Sequence, residues 1–333
     1  MKSFVALFAL IAVAQTNSFF SEEELNNEFF KFKNEYGRFY SNAQEEQYRR
    51  EIFASNLEFI TRHNREALAG RQTFTVGINN FTDITNEEFR RTMNGYRKLS
   101  AHSLAGSVHT DEDVLGLPDT VDWTTKGVVT PIKFQDVCAS GWAFAAIASI
   151  EGQHALKTGK LVSLSEQNLI DCSRPEGNQG CGGGSINNAF QYVIDNKGID
   201  TESSYRYFGI DQYCEFKKSS VGATIKSFTD VKTNSELALQ TAVANVGPIS
   251  VVIDASKNSF QFYQSGIYYD PSCSSTILDH GTTVVGYGTL NGVAYWKVKN
   301  SFGAWWGEKG YILMSRNMNN QCGIASKASY PNL

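Results

Sequence analysis

After residue 14 the sequence carries no apolar run long enough to cross a bilayer, which excludes a helical membrane span there. Excess charge of one sign is missing too. Thirty Lys and Arg stand against 34 Asp and Glu, a net charge of −4, with a pI near 5.8. That balance gives no field for nucleic acid or an anionic membrane. Internal repeats and low-complexity tracts are absent. Cysteine is scarce: Cys138, Cys172, Cys181, Cys214, Cys273 and Cys322 are all there are. None of them forms a Cys-x-x-Cys pair, so no metal site is expected, and no cofactor is implied. The count is even, which in an oxidising compartment suggests three disulfides and no free thiol. The pairing itself stays open.

What remains is an ordinary globular composition, 41% hydrophobic and 19% charged over 333 residues. That is enough for one large or two moderate domains with substantial cores. Lys2 precedes an apolar run over residues 4–14, and Ala12-Val13-Ala14 offers small residues for cleavage before Gln15. Residues 1–14 therefore read as a secretory signal, with secretion or the endosomal and lysosomal route as destination. A buried N-terminal helix is the plainer alternative.

Residues 20–96 read as helical and charged. Leu25, Phe29, Phe30 and Phe32 form one apolar face. A second helix is expected over 44–68, with Tyr48, Ile52, Phe53, Phe59 and Ile60 at helical spacing. Residues 97–116 carry less pattern. Ser140 is a candidate N-cap for a long apolar helix over 142–156. Runs at 247–253, 282–287, 293–298 and 310–314 are strand-like and suit an antiparallel sheet.

Three ordered motifs carry more than periodicity. Glu45, Arg49, Phe53, Asn56, Ile60 and Asn64 fit E-x3-R-x3-F-x2-N-x3-I-x3-N. Gly77, Asn79, Phe81 and Asp83 fit G-x-N-x-F-x-D. The stretch Gln135-Asp136-Val137-Cys138-Ala139-Ser140-Gly141-Trp142-Ala143-Phe144 comes next, and Asp279-His280-Gly281 and Lys299-Asn300-Ser301 lie beyond it. Together they resemble the papain family of cysteine proteases, in its cathepsin L branch, with an inhibitory propeptide. The signature there is Q-G-x-C-G-S-C-W-A-F, and Gly141 stands at its second cysteine.

The resemblance implies an α+β papain-like fold, a helical subdomain beside an antiparallel barrel-like one, preceded by a helical prodomain. It implies a signal over 1–14, a propeptide over 15–116 and a peptidase-like domain over 117–333. The propeptide tail is expected in the substrate cleft in the non-productive direction. Implied disulfides are Cys138–Cys181, Cys172–Cys214 and Cys273–Cys322. His280 is carried over as the base, Asn300 as its orienter and Gln135 as the oxyanion donor, with Gly141 at the vacant nucleophile position. Without a thiolate no acyl-enzyme forms.

The even cysteine count supports the same conclusion, since a working enzyme needs an odd thiol. Ser140 lies one residue early and is expected to cap the helix; Cys138 is expected in a disulfide. Phe134, Asp136 and Phe302 depart from the usual asparagine, glycine and tryptophan. Substrate contacts are implied for Gly183, Gly184, Ser185, Ile186, Val252, Leu278, Asp279 and Lys327. The plainer reading of the glycines is a flexible loop. Lys327 either favours an acidic or polar side chain or extends to water. Asn80-Phe81-Thr82 is a glycosylation sequon within the propeptide.

The expected activity is therefore binding by an inactive homologue. Its partners would be extended peptides or protein substrates, cystatin-like or propeptide-like inhibitors, and its own propeptide, with the chain a monomer. An active endopeptidase, were Gly141 an artefact, and a structural or storage protein are the rivals.

Overall fold

A computed structural model describes residues 19–97, 106–111 and 116–333. The signal expected over 1–14 and parts of the tail over 97–116 lie outside the described residues. Helix α1 (Glu22–Glu35) starts at a capping box between Ser21 and Glu24. It buries Leu25, Phe29 and Phe32, while Phe30 is 63% exposed. The apolar face is thus narrower than expected, because position 30 lies about a quarter turn off the 25–29–32 stripe. Helix α2 (Ala43–Leu68) crosses α1, with Phe53 centred 5.3 Å from Phe29 and 5.0 Å from Phe32. Tyr48, expected on its buried face, is half exposed.

The ordered polar positions of α2 hold the segment over residues 74–93. Asn56 Nδ2 donates to the carbonyls of Thr82 and Ile84 (2.9 and 3.0 Å). Asn64 brackets strand β1 (Phe74–Val76). Arg49 pairs with Glu88 at 2.9 Å, in helix α3 (Asn86–Met93). Phe81 is buried, Asn79 Nδ2 donates to the Gln261 carbonyl at 2.8 Å, and Asp83 accepts from Tyr40 at 2.9 Å. Thr82 of the sequon is fully buried and Asn80 half-buried. Strands β2 (Ser107–His109) and β3 (Val121–Asp122) lead into the larger part of the chain.

That part opens with α4 (Gly141–Thr158), α5 (Glu166–Cys172) and α6 (Ile186–Asp195), joined to the ribbon of β4 (Ile199–Asp200) and β5 (Val221–Ala223). The first twelve residues of α4 are all buried, as expected of a helix apolar all round. Strand β6 (Ser227–Val231), α7 (Glu236–Asn245), β7 (Ile249–Ile253), α8 (Asn258–Gln261), β8 (Tyr263–Tyr268), β9 (His280–Leu290), β10 (Val293–Lys299), β11 (Tyr311–Ser315) and β12 (Ala328–Asn332) complete the fold.

One sheet runs β1-β8-β11-β10-β9-β7-β12-β6-β2, with β3 beside β9. The four expected strands pair antiparallel, as β7–β9, β9–β10 and β10–β11, while β8–β11 and β2–β6 are parallel. Neither pair is joined by a hairpin: β9 and β10 intervene in the first, and β2 arrives from the propeptide in the second. No tight turn fixes their direction.

Two cores result. Trp142, Ile147 and Phe190 anchor the helical one; Phe260, Tyr287, Trp296 and Trp306 anchor the sheet one. Disulfides join Cys138–Cys181, Cys172–Cys214 and Cys273–Cys322, leaving no free cysteine among the described residues. No described helix is long and apolar enough to cross a membrane.

Candidate active site

The site forms where the two halves meet, as α4 packs against β9 and β7. Gly141 opens α4, His280 opens β9, and Asn300 directly succeeds β10. Because β9 and β10 are hydrogen-bonded neighbours, His280 and Asn300 are brought side by side, with His280 Nε2 2.8 Å from Asn300 Oδ1. With Oδ1 as acceptor, Nε2 carries the ring proton and a neutral Nδ1 is bare. Phe302 lies over the imidazole, centroids 4.9 Å apart, so phenylalanine covers the pair.

His280 is fully buried. Burial pushes its pKa down to about 4, against the opposing pull of Asn300 and the nearby Met93 carbonyl. Its Nδ1 has no partner at full hydrogen-bond geometry, although the Met93 carbonyl lies close enough to favour the protonated ring. A Cβ on Gly141 would lie 2.5 Å from His280 Cε1 and 2.7 Å from Nδ1. The imidazole therefore occupies space that a side chain at position 141 would need.

Ser140 occupies the N-cap position, but its hydroxyl makes no capping bond. This corrects the expectation from sequence. The hydroxyl is taken instead by Tyr207 (2.9 Å) and the Cys138 carbonyl (3.3 Å), and Tyr207 in turn donates to the Gln135 carbonyl at 2.6 Å. The first-turn N–H groups of α4 stay without a side-chain cap. Gln135 Nε2 donates to the carbonyls of Cys138 and Met93, both at 2.9 Å, while Ser301 Oγ donates to its Oε1 at 2.7 Å. That last bond fixes which end of the amide faces the cleft.

Residues 94–97 run through the cleft. Gly184 N–H donates to Gly95 O (2.9 Å), Tyr96 N–H to Asp279 O (2.8 Å) and Arg97 N–H to Gly184 O (2.9 Å), a parallel bridge between Tyr96 and Gly184. The crossing needs two glycines. A Cβ on Gly95 would meet Ala139 O at 1.7 Å, and one on Gly183 would meet Gly95 O at 2.4 Å. Asn94 Nδ2 donates to the Asp279 carboxylate at 3.0 Å, and burial pushes that carboxyl up.

Tyr96 and Leu278 pack on the cluster that holds Ile186 and Val252. Ser185 N–H is held by Asn178 Oδ1 at 2.8 Å. Lys327 is not brought into that cluster: it is exposed and contributes its carbonyl to Val252 N–H at 3.0 Å. Asp136 sits at φ +52°, a conformation that costs a non-glycine residue and that Asp tolerates better than most. Phe134 packs edge-on against Trp305, centroids 5.7 Å apart.

Two comparisons decide the family. Residues 117–332 match the papain family cysteine protease description, and residues 29–89 match the cathepsin propeptide inhibitor domain. The chain belongs to the papain family. It is 46% identical over 339 residues to a cathepsin L-like peptidase of Aedes aegypti, covering 99% of each chain. It is 53% identical over 300 residues to digestive cysteine proteinase 3 of Homarus americanus, covering 90% of this chain and 92% of that one. Its fold is that of digestive procathepsin L 3 from the Tenebrio molitor larval midgut, with a TM-score of 0.87 at 40% identity, over 93% of this chain and 99% of that one.

Within this papain-family site, several residues had no role read from the sequence, even Ser301, which stands in the Lys299-Asn300-Ser301 motif. Met93 supplies the carbonyl on Gln135, Tyr207 diverts Ser140, and Ser301 orients Gln135. Each acts through a contact more than forty residues away in the chain.

Proposed function

We propose that this papain-family chain is a procathepsin L-like binding protein, not a protease, and that its cleft receives extended peptides or cystatin-like inhibitors once its propeptide is removed. The observation that carries this reading is the burial of His280 against Gly141, where a nucleophile's side chain would stand. Every described cysteine is in a disulfide, so no other thiol replaces it. The glycines at 183 and 184, the amide of Gln135 and the pocket around Ile186 and Val252 are intact and already hold a peptide, the chain's own residues 94–97. Removing the propeptide then falls to another protease. Secretion or the endosomal and lysosomal route is the destination that the signal read over residues 1–14 supports.

A paired turnover assay tests this. The folded full-length chain is processed by an added protease, which is then inhibited, and a fluorogenic dipeptide substrate is supplied. Loss of the nucleophile in a serine protease costs roughly a millionfold, so no turnover is expected above that of His280→Ala. Gly141→Cys is run beside it as the test of the scaffold. Turnover in the unmodified chain that His280→Ala abolishes overturns the proposal.

A further inference from the structure

The propeptide closes both ends of the sheet. Strand β1 lies on the outer side of β8, and β2 lies on the outer side of β6. The second of these contacts shares no hydrogen-bonding residue with the cleft. Ser107 stands beside Thr229, Val108 beside Asp230 and His109 beside Val231, with the strands parallel. The backbone is held at each end. Gly106 N–H donates to Phe228 O at 3.0 Å, and Lys232 N–H donates to His109 O at 2.9 Å.

Alternate side chains are also met. Ser107 Oγ lies 2.7 Å from Thr229 Oγ1. His109 reaches α7, with Nε2 2.8 Å from Thr241 Oγ1, and its ring is edge-on to Tyr330. Both carboxylate oxygens of Asp111 lie 3.1 Å from Lys232 Nζ. Val108 is 60% exposed, so its position is not read. Without this strand β6 is an open edge. Proline and bulges discourage pairing at such an edge, and β6 has neither: its register with β12 is unbroken. Its one charge, Asp230, accepts from Asn187 at 2.9 Å.

We propose that β6, once freed of residues 106–111, is a second recognition surface. It takes an extended segment of a partner protein in the order Ser or Thr, any residue, His, any residue, Asp or Glu. The segment adds a parallel strand; main-chain bonds supply affinity and alternate side chains supply choice. The chain's own strand is the template, and the Lys232 ammonium favours the acid at its end. This rests on the binding function proposed above, because only a chain that has lost its propeptide opens the edge.

The test uses the full-length chain processed in place, its fold checked by thermal unfolding. The probe is a fluorescein-labelled peptide of residues 106–111, Gly-Ser-Val-His-Thr-Asp, as its C-terminal amide. Saturable binding at about 1 mM or below is expected. Hydrogen exchange at the Lys232 amide places it: slow in the unprocessed chain, fast after processing, and slowed again by the peptide. Lys232→Asp should weaken binding about two- to fivefold, the worth of an exposed ion pair, and Asp111→Lys in the peptide should restore it. Sarcosine in place of Gly106 removes the donor to Phe228 O and should cost about fivefold, whereas Val108→Thr should leave affinity unchanged.

A peptide of residues 93–97, Met-Asn-Gly-Tyr-Arg, reports on the cleft in the same sample. Binding of that peptide without the strand peptide overturns the second surface and leaves the peptide-binding reading intact. Mutual displacement overturns it too, since it puts the strand peptide in the cleft. Dimers of the processed chain in sedimentation, with the Lys232 amide protected before any peptide is added, overturn it in favour of a second copy. Failure of both peptides to bind overturns both readings.

Discussion

Asn64 pairs with both backbone groups of Val76, its Nδ2 donating to the carbonyl at 2.7 Å and its Oδ1 accepting from the N–H at 3.0 Å. One side-chain amide thereby stands in for a neighbouring strand on the inner side of β1, whose other side pairs with β8. Both bonds are partly shielded from solvent, so water makes good their loss only in part. Asn64→Ala should cost the propeptide about 2 kcal/mol, at roughly 1 kcal/mol for each bond. Hydrogen exchange at the Val76 amide should then quicken by up to about thirtyfold. An unchanged rate would mean that β8 alone holds the strand.

Gly95 makes a sharper demand. Its missing Cβ would fall 1.7 Å from a backbone oxygen, that of Ala139, which has no rotamer by which to yield. Gly95→Ala should lift residues 94–97 out of the cleft while β1 still pairs with β8. The side chain of Arg97, now donating to the Gly182 carbonyl at 2.5 Å, would be released. Trypsin cleavage after Arg97 should accelerate at least tenfold, as about 1.4 kcal/mol of lost docking requires when cleavage tracks the open population. Unchanged cleavage would show that the crossing has slack.

Much of the fold was legible in the sequence, though unevenly. The propeptide motifs were readable because each polar position has one partner in space: Asn56 at 82 and 84, Asn64 at 76, Arg49 at Glu88. Helical periodicity located α1, α2 and α4, but it also enlisted Phe30 and Tyr48, which face outward. Apolar character alone does not say on which side of a stripe a residue falls. Strands β6 and β12 were missed because Ser227–Val231 and Ala328–Asn332 alternate with polar residues and pair with each other across about a hundred positions. The close approach of the His280 ring to Gly141, and the diversion of Ser140 to Tyr207, are tertiary contacts with no local signal.

His280 gives a pH signature. The unfolded chain protonates it near pH 6.5, whereas the folded chain holds it neutral down to about 4 because burial disfavours the cation. Between those values the unfolded state binds more protons, so this group's contribution to stability falls as pH falls. Two and a half pH units correspond to about 3 kcal/mol. Asp83 and Asp279 work in the opposite direction, since burial raises their carboxyls and acid then favours the fold. The whole-protein curve mixes these effects; the difference between the parent and His280→Gln isolates one. Urea unfolding from about pH 7 to 4 should show the parent losing about 3 kcal/mol relative to the variant. A parallel pair of curves would mean that the folded chain accepts the proton on His280.

Behind the site, Lys133 answers two buried carboxylates, Glu151 Oε1 at 3.1 Å and Glu166 Oε1 at 2.7 Å, and also donates to the Leu164 carbonyl at 3.0 Å. Burial works against its ammonium, but the carboxylates outweigh burial and hold it above its ordinary range. The Glu166 carboxyl is pushed up by burial despite Lys133, with Glu151 and Glu202 adding repulsion. Lys133→Met would leave two acids facing each other in a dry interior, at a cost of about 3–5 kcal/mol. Glu151 keeps Thr130 Oγ1 at 2.6 Å and Leu164 N–H at 2.9 Å, so Glu166 is the group stranded. Adding Glu166→Leu to Lys133→Met should therefore recover most of the loss in urea unfolding. If the double variant is no more stable than the single one, the damage lies in the Leu164 carbonyl and not in the unpaired acid.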